Sequence, residues 1–192
     1  MARTTLFAPY VLGGAAIGIV WLFIFDPRFG LISAMLDRLG VPSPNWYNDP
    51  NWAMPMVIIV YTWKSLGYAC VVYLAGLQAI PRELYEAARV DGAGRWARFR
   101  HVTLPLLSPM TFFLLVTSIL SSMQAFDIIS VMTSGGPLDS TKTTVYQVYE
   151  EAFVRFRVGD ASTVATVLFV FLLAVTVLQV RLLERRVHYA KD

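Results

Sequence analysis

The few residues of this chain that could do chemistry are arranged to carry polar groups through an apolar medium. Lys64 stands near the middle of one apolar run, and Ser118, Ser121, Ser122, Gln124 and Asp127 recur within another. An ionisable group at such a depth is costly and marks a functional position by default. The alternative for Lys64 is a stem that snorkels along its helix or packs into a bundle interior beside a hydroxyl. The hydroxyls, the Gln124 amide and Asp127 suit the lining of a water-filled path, with plain interhelical hydrogen bonding as the alternative for each. Counted from the outer helix ends, Lys64 lies about twelve residues deep and Asp127 about five, so their depths differ by roughly 10 Å and no direct ion pair is expected. His101 and His188 both fall outside the apolar runs, which argues against an intramembrane protease or other membrane enzyme. A single cysteine, Cys70, excludes a disulfide framework and any multi-cysteine metal site.

A second group of residues is polar and lies between the apolar runs. It reads Glu86-Ala87-Ala88-Arg89-Val90-Asp91-Gly92 and, after nine intervening residues, Val102-Thr103-Leu104-Pro105. This order predicts two short helices joined at a glycine pair. Pro81 suits a first helical turn, Glu83 complements the positive end of the helix, and Gly92 can take the left-handed cap conformation. Ala87 and Ala88 beside Glu86 leave room for another backbone to approach closely. From Gly94 a second helix places Trp96, Phe99 and Val102 or Thr103 on one face, with arginines and His101 around the other. Leu104 precedes a proline and is expected outside helical geometry, the chain re-entering a helix at Pro105. Such an elbow is a docking surface; a solvated amphipathic loop at a membrane surface is the alternative reading.

The elements that must position these groups are themselves apolar. Of 192 residues 56% are hydrophobic and 15% charged, and the mean hydropathy of +0.56 belongs to a bilayer rather than to a water-soluble domain. The net charge of +3 comes from basic residues at helix ends rather than from a patch with interleaved aromatics, so no nucleic-acid partner is expected. Four spans are predicted, at about 6–25, 53–78, 105–132 and 161–180, with the elbow at 80–104. The first lacks a small-x-small cleavage site after its apolar run and is read as a membrane helix, not a signal peptide. Its Pro9 and Gly13-Gly14 pair are tolerated where a neighbouring helix packs closely. Between the first two spans, a short helix is predicted around Leu31 to Leu39, and Trp46, Tyr47 and Trp52 gather as an aromatic belt would require. Arg82, Arg89, Arg95, Arg98 and Arg100 in the elbow and Arg181, Arg185, Arg186 and Lys191 in the tail are separated by two spans. The excess of Lys and Arg puts both, and the N-terminus, on the cytoplasmic side. The class is an all-α polytopic membrane bundle.

The defined positions Glu86, Ala87, Ala88, Gly92, Val102, Leu104 and Pro105 complete a pattern by which the chain resembles the permease subunits of bacterial ABC importers. The Ser134-Gly135-Gly136-Pro137 break, followed by Ser140, Thr141, Thr143 and Thr144 and continuing through Tyr146, Tyr149 and Phe153, is similar to a segment of the carbohydrate-type subset, which includes glycerol-phosphate permeases. The resemblance implies a type I importer permease fold over 1–192, forming half of a translocation path in the inner membrane, with Lys64, Ser118, Ser122, Gln124 and Asp127 as candidates for its lining. It implies ATP-binding cassette ATPase subunits as partners, docked by coupling helices. Glu86 would engage the ATPase, Ala87 and Ala88 permit close approach, Gly92 set the angle between the helices, and Val102, Leu104 and Pro105 complete the segment. A second homologous permease subunit and an extracytoplasmic solute-binding protein are the other implied partners. No Gly-x-x-x-x-Gly-Lys-Ser/Thr sequence occurs, so ATP hydrolysis is a partner's task; no cofactor and no metal are expected. Relatives carry six spans and this sequence begins where their third would, so about two N-terminal helices are expected to be missing. An ion-coupled secondary transporter with Lys64 and Asp127 as coupling charges, and a truncated fragment that does not transport, stay open beside the importer.

Overall fold

The computed structural model describes residues 2–183, and all regular structure among them is helical. Arg185, Arg186 and Lys191 of the basic tail lie outside the described residues. The chain divides into two compact units, one of residues 1–67 with 121–170 and the other of 68–120 with 171–192.

The first unit holds α1 (Ala2–Val11), α2 (Gly14–Ile24), α3 (Leu31–Arg38) and the first part of α4 (Pro50–Ala79). The predicted span at 6–25 is therefore two helices rather than one. Gly13 is extended at φ −60°, ψ 134°, and a glycine pair sacrifices about 1 kcal/mol of helix propensity per residue relative to alanine. A packing reason lies beside it: a Cβ at Gly14 would fall inside the Asp127 carboxylate, and one at Gly18 would sit 3.3 Å from Val131 and Met132. The small residues of α2 thus let its backbone lie against a short helix from the far end of the sequence. Phe25, Met56, Val60, Ile128 and Ile129 form the fully buried centre of this unit.

Trp46 belongs to that core instead of a lipid-facing belt. It is buried, with its ring 4.9 Å from Phe25 and 5.2 Å from the partly exposed Trp52, and its indole N–H donates to Ser43 Oγ at 3.3 Å. Nearby, Asp26 Oδ1 accepts the backbone N–H groups of Arg28 at 2.8 Å and Phe29 at 3.3 Å, and Oδ2 accepts the Tyr47 hydroxyl at 3.2 Å. These donors, the Arg28 N–H foremost, hold the Asp26 carboxyl below its usual range.

The second unit contains the elbow. After α4 come α5 (Arg82–Val90), α6 (Arg95–Arg98) and α7 (Leu104–Leu106). Leu104 is helical at φ −64°, ψ −44°, contrary to the expectation that Pro105 would expel it. The reason is a wide i→i+5 turn over Phe99–Thr103, which moves the preceding carbonyls away from the proline ring and leaves its missing N–H without a helical partner to lose. The turn in the chain falls at Leu107 instead.

α8 (Ser108–Met123) then stops, and α9 (Asp127–Met132) starts after a non-helical Gln124–Phe126. The predicted span 105–132 is broken there. α10 (Thr144–Tyr149) follows, and α11 (Val158–Leu183) ends the described chain. Pro50–Ala79, Ser108–Met132 taken together, and Val158–Arg181 are long and apolar enough to cross a membrane; Gly14–Ile24 is apolar but shorter.

Candidate functional site

A helix broken within an apolar segment leaves backbone groups that lipid cannot satisfy. Here several are met by named side chains. The carbonyl of Ser121, at the end of α8, accepts the Tyr61 hydroxyl at 2.7 Å, and that of Ala125 accepts the Thr143 hydroxyl at 3.0 Å. The Ala125 N–H closes a tighter bond to Ser122 O at 3.3 Å. Asp127 then opens the next helix, its Oδ1 accepting the Ile128 N–H at 2.9 Å. The Thr run after the Gly-Gly-Pro turn therefore has a physical task. Thr143 also accepts the Tyr146 N–H at 3.3 Å and so starts α10, while buried Thr141 donates to Gly136 O at 2.8 Å and shares a 2.6 Å bond with Thr133.

Lys64 lies one helical turn beyond Tyr61, on the same face of α4. Its ammonium meets Asp127 Oδ2 at 3.4 Å. This corrects the depth argument, which placed the two groups far apart by treating 105–132 as one straight helix. Because α8 ends at Met123, the position of Asp127 is set by the packing of α9 on α2, not by counting along the α8 axis. The lysine side chain is 17% exposed and the aspartate 44%. The pair is thus formed yet accessible.

Of the other candidates for a lining, Gln124 is exposed in the break itself, Ser122 is exposed in the last turn of α8, and Ser118 is exposed one turn earlier on the same helix. The polar residues do not continue as one helical stripe, since the stripe ends where α8 ends. Tyr61 escaped the sequence reading, and Gly14 and Thr143 were singled out there without this role, although each supports the Lys64–Asp127 pair or the break beneath it. Tyr61 was findable from its three-residue spacing to Lys64.

The elbow has the predicted pair of short helices. Pro81 stands just before α5 at φ −58°, ψ 136° rather than in its first turn, Glu83 lies in that turn, and the chain leaves through Asp91 into Gly92 at φ +78°. Gly92 N–H closes onto Arg89 O at 3.1 Å and Ala93 N–H onto Ala88 O at 2.9 Å. The Tyr85 and Thr103 hydroxyls share a 2.9 Å bond that ties the first helix to the wide turn. Glu86, Ala87, Gly92 and Leu104 are exposed; Ala88, Val102 and Pro105 are half-buried. Val90 and Trp96 are 88% and 71% exposed, and the Trp96 ring stacks on Phe99 at 5.6 Å. Among the described residues no group of three or more His, Cys, Asp or Glu converges as a metal site would require.

A sequence profile described as binding-protein-dependent transport system inner membrane component matches residues 2–189. The chain is 41% identical over 189 residues to the sn-glycerol-3-phosphate transport system permease protein UgpA of Brucella abortus biovar 1 (strain 9-941), covering 98% of this chain and 64% of that one. It is 41% identical over 188 residues to the protein of the same name from Agrobacterium fabrum (strain C58 / ATCC 33970), with 97% and 64% covered. The chain thus spans less than two thirds of the length of these relatives. Among solved structures, a chain of a bacterial ABC transporter involved in the import of the acidic polysaccharide alginate superposes with a TM-score of 0.82 at 22% identity, over 96% of this chain and 65% of that one. A chain of bacterial alginate ABC transporter in complex with alginate pentasaccharide-bound periplasmic protein gives 0.86 at 24%, over 96% and 64%. The fold is shared with both.

Proposed function

The chain belongs to the binding-protein-dependent transport system inner membrane components, and from that membership we propose that it is a permease subunit of an ATP-driven importer for a sugar or a glycerol phosphate. Residues 1–192 act as one transmembrane permease domain, a reading that a single profile match over 2–189 supports. The subunit forms half of a translocation path whose other half is a second homologous permease subunit. An extracytoplasmic binding protein delivers the solute, and separate ATP-binding cassette subunits hydrolyse ATP.

The observation that carries this reading is the elbow. Its seven pattern residues sit on a two-helix turn whose Val90 and Trp96 leave apolar surface in the open, as a docking element awaiting its partner would. Glu86 meets the ATPase, Ala87 and Ala88 let the two backbones approach, Gly92 fixes the angle, and Val102, Leu104 and Pro105 brace the far arm. Closure of the ATPase dimer reaches the membrane helices through this elbow, provided that the closed dimer binds the two access states with different affinity. Lys64, Ser118, Ser122, Gln124 and Asp127 line the path. The elbow and both chain ends face the cytoplasm.

Cross-linking from the elbow tests the reading. With Cys70 replaced by serine, Ala87→Cys in intact cells should trap an ATP-binding cassette subunit in a disulfide or maleimide adduct, and Leu138→Cys should not. An elbow that never captures such a subunit would remove the importer assignment.

A further inference from the structure

The two partners of the intramembrane pair are held very differently. Asp127 is fixed: Oδ1 accepts the Ile128 N–H at 2.9 Å, its carboxylate rests on Gly14 where no side-chain carbon fits, and its own backbone opens α9. Lys64 is held by one weak contact. Among the described residues, the acceptor its ammonium reaches is Asp127 Oδ2 at 3.4 Å, longer than the about 2.7–2.9 Å of a strong charged hydrogen bond. An ammonium has three donors and swings on a flexible four-carbon stem. Two of its donors thus point at no described protein acceptor, in a place where an unsatisfied charge is costly.

A cation on a flexible stem, tethered by one long contact, can change partners, whereas the reverse exchange, with Asp127 reaching out for a cation, would break its bond to the Ile128 N–H. An arriving anionic group can take the free donors of the lysine without Asp127 leaving its seat. The exposed amide of Gln124, in the same break, offers a neutral donor to such a group. We propose that Lys64 is the counter-ion for an anionic group, a phosphate or a carboxylate, on the solute in transit. Asp127 is its resting partner, keeping the ammonium aimed while the path is empty. The inference rests on the permease reading and narrows it, because a path with such a site selects for charged solutes.

The test uses proteoliposomes holding the complete transporter purified with its partner subunits, supplied with radiolabelled sn-glycerol-3-phosphate and, separately, with uncharged maltose. The double variant Lys64→Met/Asp127→Asn carries no unpaired charge and should still co-purify with its partners. Its maximal uptake of the phosphate should fall at least tenfold, while Lys64→Arg, which keeps the charge, should retain a third or more. A co-purifying double variant that takes up the phosphate at the unmodified rate would overturn the proposal, and so would a transporter that carries maltose but not the phosphate; both results leave the permease reading standing. Failure of the unmodified chain to capture an ATPase subunit or to carry either solute would remove that reading and the inference with it.

Discussion

Gly14 and Gly13 are neighbours with opposite tolerances. A Cβ at Gly13 meets nothing within 4 Å, and its backbone at φ −60°, ψ 134° is one that alanine adopts freely. A Cβ at Gly14 would displace the Asp127 carboxylate, which has the Ile128 N–H behind it and cannot retreat without losing that bond. Gly14→Ala should therefore cost about 1–3 kcal/mol as an overpacked core substitution, and Gly13→Ala close to nothing. Thermal unfolding of the detergent-solubilised protein reads the difference; equal transitions for the two variants would mean that α2 does not press on Asp127. Tyr61→Phe is the companion case on α4. It leaves the ring and removes the hydroxyl that donates to Ser121 O, so it should cost about 0.5–1.5 kcal/mol in the same assay, the net range for one hydrogen bond.

At the scale of elements, the elbow depends on one residue whose conformation is unusual. Proline cannot adopt φ +78° and has no N–H to give Arg89 O, so Gly92→Pro should alter the angle between α5 and α6 without touching a membrane span. Uptake should fall at least tenfold while ATP hydrolysis by the complex continues, and normal uptake would count against the coupling role. The segment Thr144–Val154 is held by charges instead. Lys142 and Arg155 pair with Glu150, Arg155 and Arg157 with Glu151, and Arg157 with Asp160. The bond from Lys142 holds the Glu150 carboxyl below its ordinary 4.5 and, reciprocally, holds the Lys142 ammonium above its ordinary 10.5. The carboxylate contribution is complete above 4.5 and is lost as pH falls through the lowered value; the ammonium contribution is complete below 10.5 and is lost as pH rises through the raised one. Hydrogen exchange in this segment, corrected for the intrinsic rate, should be flat between these limits and quicken on the acid side, less so in Lys142→Met. Helix identity and the elbow were legible in the residues because apolar run length, Pro81 and Gly92 are local signals. The breaks at Gly13 and at Gln124–Phe126 were not, because what permits them is contact between residues far apart in sequence: Asp127 over Gly14, Tyr61 under Ser121, Thr143 under Ala125. For the same reason the Lys64–Asp127 pair was misjudged by counting residues along an axis that does not exist.

For the whole molecule, the connections between membrane-length helices carry a prediction of which way it faces. The elbow joins Pro50–Ala79 to Ser108–Met132, and residues 133–157 join the latter to Val158–Arg181. The two connections must lie on opposite sides if each helix crosses once. Their charges differ: the elbow carries Arg82, Arg89, Arg95, Arg98 and Arg100 against Glu83, Glu86 and Asp91, whereas 133–157 carries Lys142, Arg155 and Arg157 against Asp139, Glu150 and Glu151. Only the elbow has the basic excess by which the positive-inside rule would assign it to the cytoplasm. The connection between α2 and α4, one crossing earlier, agrees, since residues 26–49 hold Arg28 and Arg38 against Asp26, Asp37 and Asp49. Two positions suit a test because neither is shielded by the fold: Leu138 is 90% exposed and Val90 88%. In a Cys70→Ser background, Leu138→Cys should react with a membrane-impermeant maleimide added to spheroplasts, and Val90→Cys only after the membrane is permeabilised. The reverse pattern would invert the orientation, leaving the elbow on the side without ATP, where it could couple nothing.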